Sequence, residues 1–402
     1  MSALEGLRVL EFSQYEAGPA CGQYLAWLGA DVVKVESPRG DPGRHVWGHR
    51  DKSQYFENNN ANKRGVALDL STPEGRELVL RLIPRFDVLV ENHGPGVMER
   101  LGLAPDDVTA VHPALIYVRI KGYGLSGPYR DYKSFDMLAQ AAAGLFSLTG
   151  EPDGPPVRPG GTFADTGTGT HAAMTILAAY IQRQRTGKGQ VIELSMHEVS
   201  TMFIRTAGVR SWGRDAAPTE RVGHRLGGSP TGMFACKPFG PNDYVYMAIN
   251  SRRFWEALCK AIGRPDLLTD PRFAGGRERE ANDAELREIV GAWCAEHTKI
   301  EAQTMLCEAG VSAFAILDTH DVFNDPHLLA RDFVKDVPHP RYGTVTLLEK
   351  PWRMSDNDVP LTAAPTLGQH TDELLAAELN LTPREIEALH ERRVIFSEEG
   401  AE

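Results

Sequence analysis

Residues 7–36 read L-R-V-L-E-F-S-Q-Y-E-A-G-P-A-C-G-Q-Y-L-A-W-L-G-A-D-V-V-K-V-E. The run 7–12 is short and apolar, of strand length, and Gly18-Pro19 opens a helix predicted to reach about Leu28. A second strand is predicted over the valine-rich run 31–36. Strand, helix and strand in so short a span imply a βαβ unit. Its two strands are parallel neighbours, because a crossover helix is what lets consecutive strands run the same way. The turn after the first strand is S-Q-Y-E-A-G-P-A and lacks G-x-G-x-x-G, and the chain has no G-x-x-x-x-G-K-[ST] loop. Nicotinamide-dependent dehydrogenase and phosphate-loop NTPase are thereby set aside.

The alternation continues outward. Strands are predicted at 65–70, at 87–92 before the turn H-G-P-G (93–96), at 115–120 and at 190–196. Thr72-Pro73-Glu74 starts a helix with proline at its first position. Further helices are expected over 134–149 and 166–185, the latter stopped by T-G-K-G. The predicted fold class is therefore α/β, with a mainly parallel, Rossmann-like sheet in a large domain. Arg, Gly and Pro accumulate over 200–235, which reads as a crossing segment. Beyond it lie a strand at 244–249 and amphipathic helices near 251–262, 282–296 and 300–309. The division expected is 1–205 for the N-terminal part of the large domain and 206–325 for a linker and a smaller α+β domain. Residues 326–402 return to the large domain, with helical periodicity at 372–390 interrupted by the helix start Leu381-Thr382-Pro383.

The chain has 402 residues, 42% of them hydrophobic and 24% charged, with a formal net charge of −11. That balance argues against general nucleic-acid or anionic-membrane binding, which need a basic surface. The longest apolar segments, 138–148 and 172–181, are too short to span a bilayer. M-S-A-L-E-G has neither a basic nor an apolar leader region, so a cytoplasmic protein is expected. The five cysteines are scattered without a C-x-x-C pair and read as reduced core filler, Cys21 included.

Asp165 is the most informative single residue. It stands in F-A-D-T-G-T-G-T-H (163–171) at the entrance of a helix, among glycines that admit the close approach of another molecule. A carboxylate so placed can act as a nucleophile, or it can serve as a helix cap. His45 and His49 have metal-ligand spacing, but Gly48 and the absence of a helix signal favour surface or pocket roles. His197-Glu198 reads as a helix start rather than an acid–base pair. Trp47 is placed either in an acyl pocket or in packing, and His224 and Arg225 could face an acidic substrate.

Taken in order, the motifs resemble the family III CoA-transferases, the CaiB/BaiF group with formyl-CoA and carnitine CoA-transferases. The resemblance rests on L-E-G-L-R-V-L-E-F (4–12), A-G-P-A-C-G-Q-Y-L-A-W-L-G-A-D-V-V-K-V-E (17–36) and N-K-R-G-V-A-L-D-L (62–70). It continues through T-P-E-G-R-E-L (72–78), V-E-N-H-G-P-G-V-M-E-R-L-G (90–102), K-G-Y-G-L-S-G-P-Y (121–129) and D-G-P-P (153–156). The last strings are D-T-G-T-G-T-H (165–171), T-G-K-G-Q (186–190) and L-G-Q-H-T-D-E-L-L (367–375). The resemblance implies that Asp165 is the nucleophile, that CoA thioesters are substrates, and that no cofactor is permanently bound. The expected partners are an acyl-CoA, a small organic acid and a second copy of the chain in an interlocked dimer. CoA contacts are implied at Glu16, Ala17, Arg39, Leu68, Asn92, His93, Gly94, Arg100, Lys133 and Asp136. For Arg100 the residues themselves agree, since it lies one short helix beyond the turn N-H-G-P-G, where phosphates bind helix ends and flanking bases. Glu16 departs from the glutamine of the formyl-CoA branch, and only two glycines, Gly227-Gly228, stand where that branch has a longer glycine-rich loop. Two alternatives are a 2-methylacyl-CoA racemase and a CoA-binding protein without activity. The racemase branch needs a histidine where this chain has Phe135, which cannot carry a proton.

Overall fold

A computed structural model describes residues 2–47 and 53–398. Its centre is a seven-stranded sheet formed by β1 (Arg8–Phe12), β2 (Asp31–Glu36), β3 (Arg64–Leu68), β4 (Val88–Glu91), β5 (Ile116–Lys121), β6 (Gln190–Ser195) and the late β12 (Ile395–Phe396). The strand order is β12-β3-β2-β1-β4-β5-β6. Every pairing is parallel except that of β12 with β3, where Ile395 stands opposite Leu68. The mainly parallel α/β reading is correct.

Parallel strands need both faces covered, and the alternation of side chains shows two cores. Val9, Val32, Val90, Val118 and Ile120 face the helices Ala17–Trp27 and Phe163–Thr186. Leu10, Val33, Val35, Leu89 and Tyr117 face the helices Pro73–Leu82, Thr371–Leu379 and Pro383–Glu391. The chain divides into two compact units. One comprises Met1–Phe146, Arg158–Arg214 and Asp332–Glu402, and the other Ser147–Val157 and Asp215–Arg331. The second holds an antiparallel sheet of order β7-β8-β9, from β7 (Gly232–Ala235), β8 (Tyr244–Met247) and β9 (Ala313–Ala315). Its core joins Phe234, Val245, Leu258, Val290 and Leu306. In the first unit β10 (Val334–His339) and β11 (Gly343–Leu348) form an antiparallel hairpin over Ala61.

The single helix expected over 134–149 is two, Asp136–Ala142 and Leu145–Leu148. Gly144 separates them at φ 86°, a backbone conformation that ends a helix and suits glycine. The helix Gln54–Asn60 and the strands β7, β9, β10, β11 and β12 have no counterpart in the sequence reading. No helix among the described residues is long and apolar enough to cross a membrane.

Candidate active site

The strand order reverses direction between β1 and β4, and ligands of open α/β sheets bind outside the carboxyl ends of the strands at such a point. A cleft of about 390 Å³ lies there. The loop after β1 contributes Gln14 to Ala17, the loop after β4 contributes Asn92 to Gly94, and Lys133, Phe135 and Asp165 close the far side. A second cavity, of about 800 Å³, opens over β2 and β3 and is lined by Arg39, His45 and Leu68. Gln14 and His93 line both.

The two loops are held in register by side chains. Asn92 accepts from the Gln14 backbone N–H and donates to the Gln14 carbonyl, each at 2.8 Å. His93 Nδ1 meets the Gln14 amide at 2.6 Å, and its backbone N–H donates to Glu91 at 2.9 Å. Burial first, then the charge of Lys121, pushes His93 down to about 4, so it is a neutral ring at physiological pH. An amide N–H can only donate, which puts the remaining ring proton on Nε2. Below the first loop, Asp41 accepts from the Tyr15 and Gly43 backbones at 3.0 and 2.8 Å and pairs with buried Lys34 at 2.9 Å. Tyr15 is thereby held at φ 59°, which presents Glu16 at the mouth of its helix.

Asp165 is the third residue of the helix Phe163–Thr186 and is half-buried. It does not cap that helix. Asp136 does so from a separate helix, its Oδ1 accepting from the backbone N–H groups of Ala164 at 2.9 Å and Asp165 at 3.2 Å. Gln140 steadies Asp136 by donating to Oδ2 at 2.5 Å and to the Gly161 carbonyl at 2.9 Å. Asp136 is therefore buried under the nucleophile candidate rather than in the cleft wall. Burial, then Glu16 and Asp136, hold the Asp165 carboxyl well above the usual carboxylate range.

Glu16 is 6% exposed. Its carboxylate accepts from the hydroxyls of Thr162, Thr166 (2.8 Å) and Tyr55. Burial raises its pKa, and those hydroxyls oppose the shift. Thr162 and Thr166 bracket Asp165 on one helix, so the two carboxylates sit side by side. Gly167 and Gly169 do not face an incoming molecule. A Cβ on Gly169 would lie 2.8 Å from the Ala17 carbonyl oxygen and from Ala20, and one on Gly167 would lie 2.7 Å from the Phe203 ring. These glycines let helices approach, and Gly169 seats Asp165's helix against the one that Glu16 opens.

Of the remaining candidates, Ala17 is buried in the first helical turn and Gly94 is open to the cleft. Arg100 and Lys133 are exposed on the cleft rim, beside Arg130, whereas Arg39 is exposed over the second cavity. Leu68 is fully buried at its floor. Trp47 is 90% exposed and meets Tyr55 edge to face at 6.3 Å. Phe135 meets Tyr15 in the same way at 5.7 Å. His49 lies outside the described residues, and no group able to hold a metal ion occurs among them. Cys21 is buried with its thiol pushed up by burial, and His197 lies in the first turn of the helix Met196–Phe203. His224 accepts from the Met233 backbone at 3.0 Å and Arg225 is 3.7 Å from Asp283, all within the second unit. Tyr55, Thr162 and Thr166 were not legible as site residues. The only trace was the four-residue spacing of two threonines on one helix face.

The sequence matches the family model for CoA-transferase family III over residues 4–371. It is 38% identical to the formyl-CoA:oxalate CoA-transferase of Streptomyces avermitilis, over 98% of this chain and 99% of that protein. It is 36% identical to the succinyl-CoA–D-citramalate CoA-transferase of Chloroflexus aurantiacus, over 98% of each. A crystal structure of a CaiB/BaiF family protein from Brucella suis superposes with a TM-score of 0.85 at 33% identity, covering 94% of this chain and 99% of that one.

Proposed function

The chain belongs to CoA-transferase family III and is a CoA-transferase, and from that premise we propose that Asp165 carries CoA from an acyl-CoA thioester to a free carboxylic acid through anhydride and aspartyl-CoA intermediates. The observation that carries the proposal is the division of labour at the helix start. Asp136 does the capping, which leaves the Asp165 carboxylate on the cleft wall with no hydrogen bond from a described side chain.

An Asp165 oxygen attacks the thioester carbonyl carbon, the C–S bond breaks, and CoA thiolate leaves an aspartyl–acyl anhydride. Thiolate then attacks the Asp165 carbonyl carbon, forming aspartyl-CoA and releasing the donor acid. The acceptor carboxylate attacks this thioester, giving a second anhydride and thiolate again. Attack of thiolate on the acceptor's carbonyl completes the new acyl-CoA and restores the Asp165 carboxylate. No ATP is consumed, because each acyl bond is exchanged for another of similar energy. Cations on the rim at Arg100, Arg130 and Lys133 suit the CoA phosphates, with Arg39 beside the second cavity. The raised Asp165 pKa makes the ionised group more nucleophilic and sets the acid limb of the rate. Phe135 stands where the racemase branch has a proton-carrying histidine, which disfavours proton exchange at Cα.

The test is Asp165→Ala with hydroxylamine trapping. Wild-type enzyme incubated with a panel of acyl-CoA thioesters and trapped by hydroxylamine should carry a hydroxamate at residue 165, and the variant should bind CoA without turnover. Retention of normal turnover by the variant would falsify the mechanism.

We also infer that a second copy of the chain covers part of this unit. Met174, Ile181, Met202, Phe203, Val209 and Trp212 are all exposed on or after the helix Phe163–Thr186, and large exposed apolar side chains brought together mark a protein contact. Light scattering after size exclusion should give twice the 44.2 kDa chain mass, and a monomer at micromolar concentration refutes it.

A further inference from the structure

Glu16 places a second negative group beside the reacting carboxylate, and nothing in the proposed transfer chemistry requires one. Its side chain is almost fully enclosed, yet it lines the same cleft as Asp165. Three hydroxyls, from Thr162, Thr166 and Tyr55, donate to it. An ionised carboxylate offers about four acceptor positions and no donor. Three are used, and one remains for a ligand. Asp136 is the further charged group that acts on both carboxylates, and it is acidic; Lys121 lines the cleft but is paired with Glu91. The cations Arg100, Arg130 and Lys133 lie along the cleft wall and are exposed.

We propose that Glu16 determines which acids the site accepts, favouring acyl groups that carry a neutral hydroxyl next to the reacting carbonyl over those that carry a second carboxylate there. The inference rests on acyl transfer through Asp165 and deepens it. A monocarboxylate loses its charge on forming the anhydride, so it adds nothing to the repulsion between Glu16 and its neighbour. An acid whose second carboxylate is bonded directly to the reacting carbon brings a further negative charge beside Glu16, while Arg100, Arg130 and Lys133 are exposed to water and Lys121 is paired with Glu91. Like charges so juxtaposed are costly in a desolvated site. A hydroxyl at the same place instead donates to the free acceptor position of Glu16, and a site built to bind that donor discriminates strongly against its absence. Glutamine there would present an N–H to a carboxylate and reverse the preference.

Glycolyl-CoA and oxalyl-CoA form a matched pair of two-carbon thioesters, with acetyl-CoA as the uncharged reference. The acylation half-reaction needs no acceptor and is read as thiol release, with hydroxylamine trapping at residue 165. Wild-type enzyme should acylate from glycolyl-CoA at least tenfold faster than from oxalyl-CoA. Glu16→Gln should narrow or invert that ratio by tenfold or more, each rate being divided by the same variant's rate with acetyl-CoA. Thr166→Val keeps Glu16 but removes a hydroxyl that supports its charge, so the ratio should move the same way, and it serves if Glu16→Gln fails to fold. A wild-type preference for oxalyl-CoA, or a ratio unchanged in a folded variant, overturns the assignment of Glu16. Failure of all three thioesters to acylate residue 165 would instead refute the transfer mechanism beneath it.

Discussion

Removal of the Asp136 carboxylate tests whether the helix that carries Asp165 is set by a side chain from outside it. In Asp136→Ala the backbone N–H groups of Ala164 and Asp165 lose their acceptor, at 2.9 and 3.2 Å, and Gln140 loses its 2.5 Å partner. A lost helix cap costs about 1–2 kcal/mol, and each buried donor left unpaired adds about 1–3 kcal/mol, less wherever water enters. A loss of about 2–4 kcal/mol follows, since the cap and the donors are partly the same interaction. Because the chain has two compact units, a global melt alone would blur the effect. Hydrogen exchange of peptides from the first turns of the Phe163–Thr186 helix reads it locally, and protection there should fall by about thirtyfold or more, each 1.4 kcal/mol being a factor of ten. Transfer should fall with it by about a hundredfold, the scale of a misplaced reacting group. Asp136→Asn is the matched control. Its amide oxygen can still accept from the helix N–H groups, so protection should stay near wild type. It also removes a like charge that helps hold the Asp165 carboxyl up, so the acid limb of kcat/KM should move to lower pH. Unaltered exchange in Asp136→Ala would show that Asp136 does not hold the helix start, and the account of Asp165's placement would fail with it.

Gly169→Ala puts a methyl 2.8 Å from the Ala17 carbonyl oxygen and from Ala20, so two helices must part. Overpacking of this kind costs about 1–3 kcal/mol, and CoA affinity by calorimetry should fall because Ala17 adjoins Glu16. Unchanged melting and affinity would show that this contact is slack. Asp165→Asn should abolish transfer yet stabilise the fold by about 0.5–2 kcal/mol at pH 8, the usual scale for relieving a strained functional site. The sign follows from the raised folded-state pKa. Ionised wild-type Asp165 is penalised at pH above the ordinary carboxylate range and not below it, so the gain should disappear near pH 4. A gain that grew on acidification would contradict the direction of the shift.

The large sheet was legible because its strands carry their own signal. β1, β2, β4 and β5 are short runs rich in valine, leucine and isoleucine, with charged residues interspersed, and the turns between them are rich in glycine and proline. The missed strands lack that signal. β10 is V-K-D-V-P-H, with a proline inside it and exposed positions that conceal the alternation, and it is defined by its partner β11. β12 has two residues and exists only through its pairing with β3, more than three hundred positions away. Such pairings are tertiary facts that local propensity does not encode.

The candidate cleft was legible for the same reason. Asp165 and the loops after β1 and β4 lie in contiguous motifs, and the topology brings them to one cleft at the point where the strand order reverses. The roles within that cleft come from contacts across 20 to 150 positions of sequence. Asp136 reads as a ligand contact beside a phenylalanine, yet it is the cap of a helix that begins at Phe163. Asp165 reads first as that cap, and it is free of the duty because Asp136 performs it. Glu16 reads as a lost hydrogen-bond donor, whereas the hydroxyls of Thr162, Thr166 and Tyr55 donate to it and oppose the upward shift that burial imposes. On the proposed mechanism the three carboxylates divide the work by position: the one with backbone donors holds the helix start, the one with hydroxyl donors has its charge supported, and the one with neither is the nucleophile.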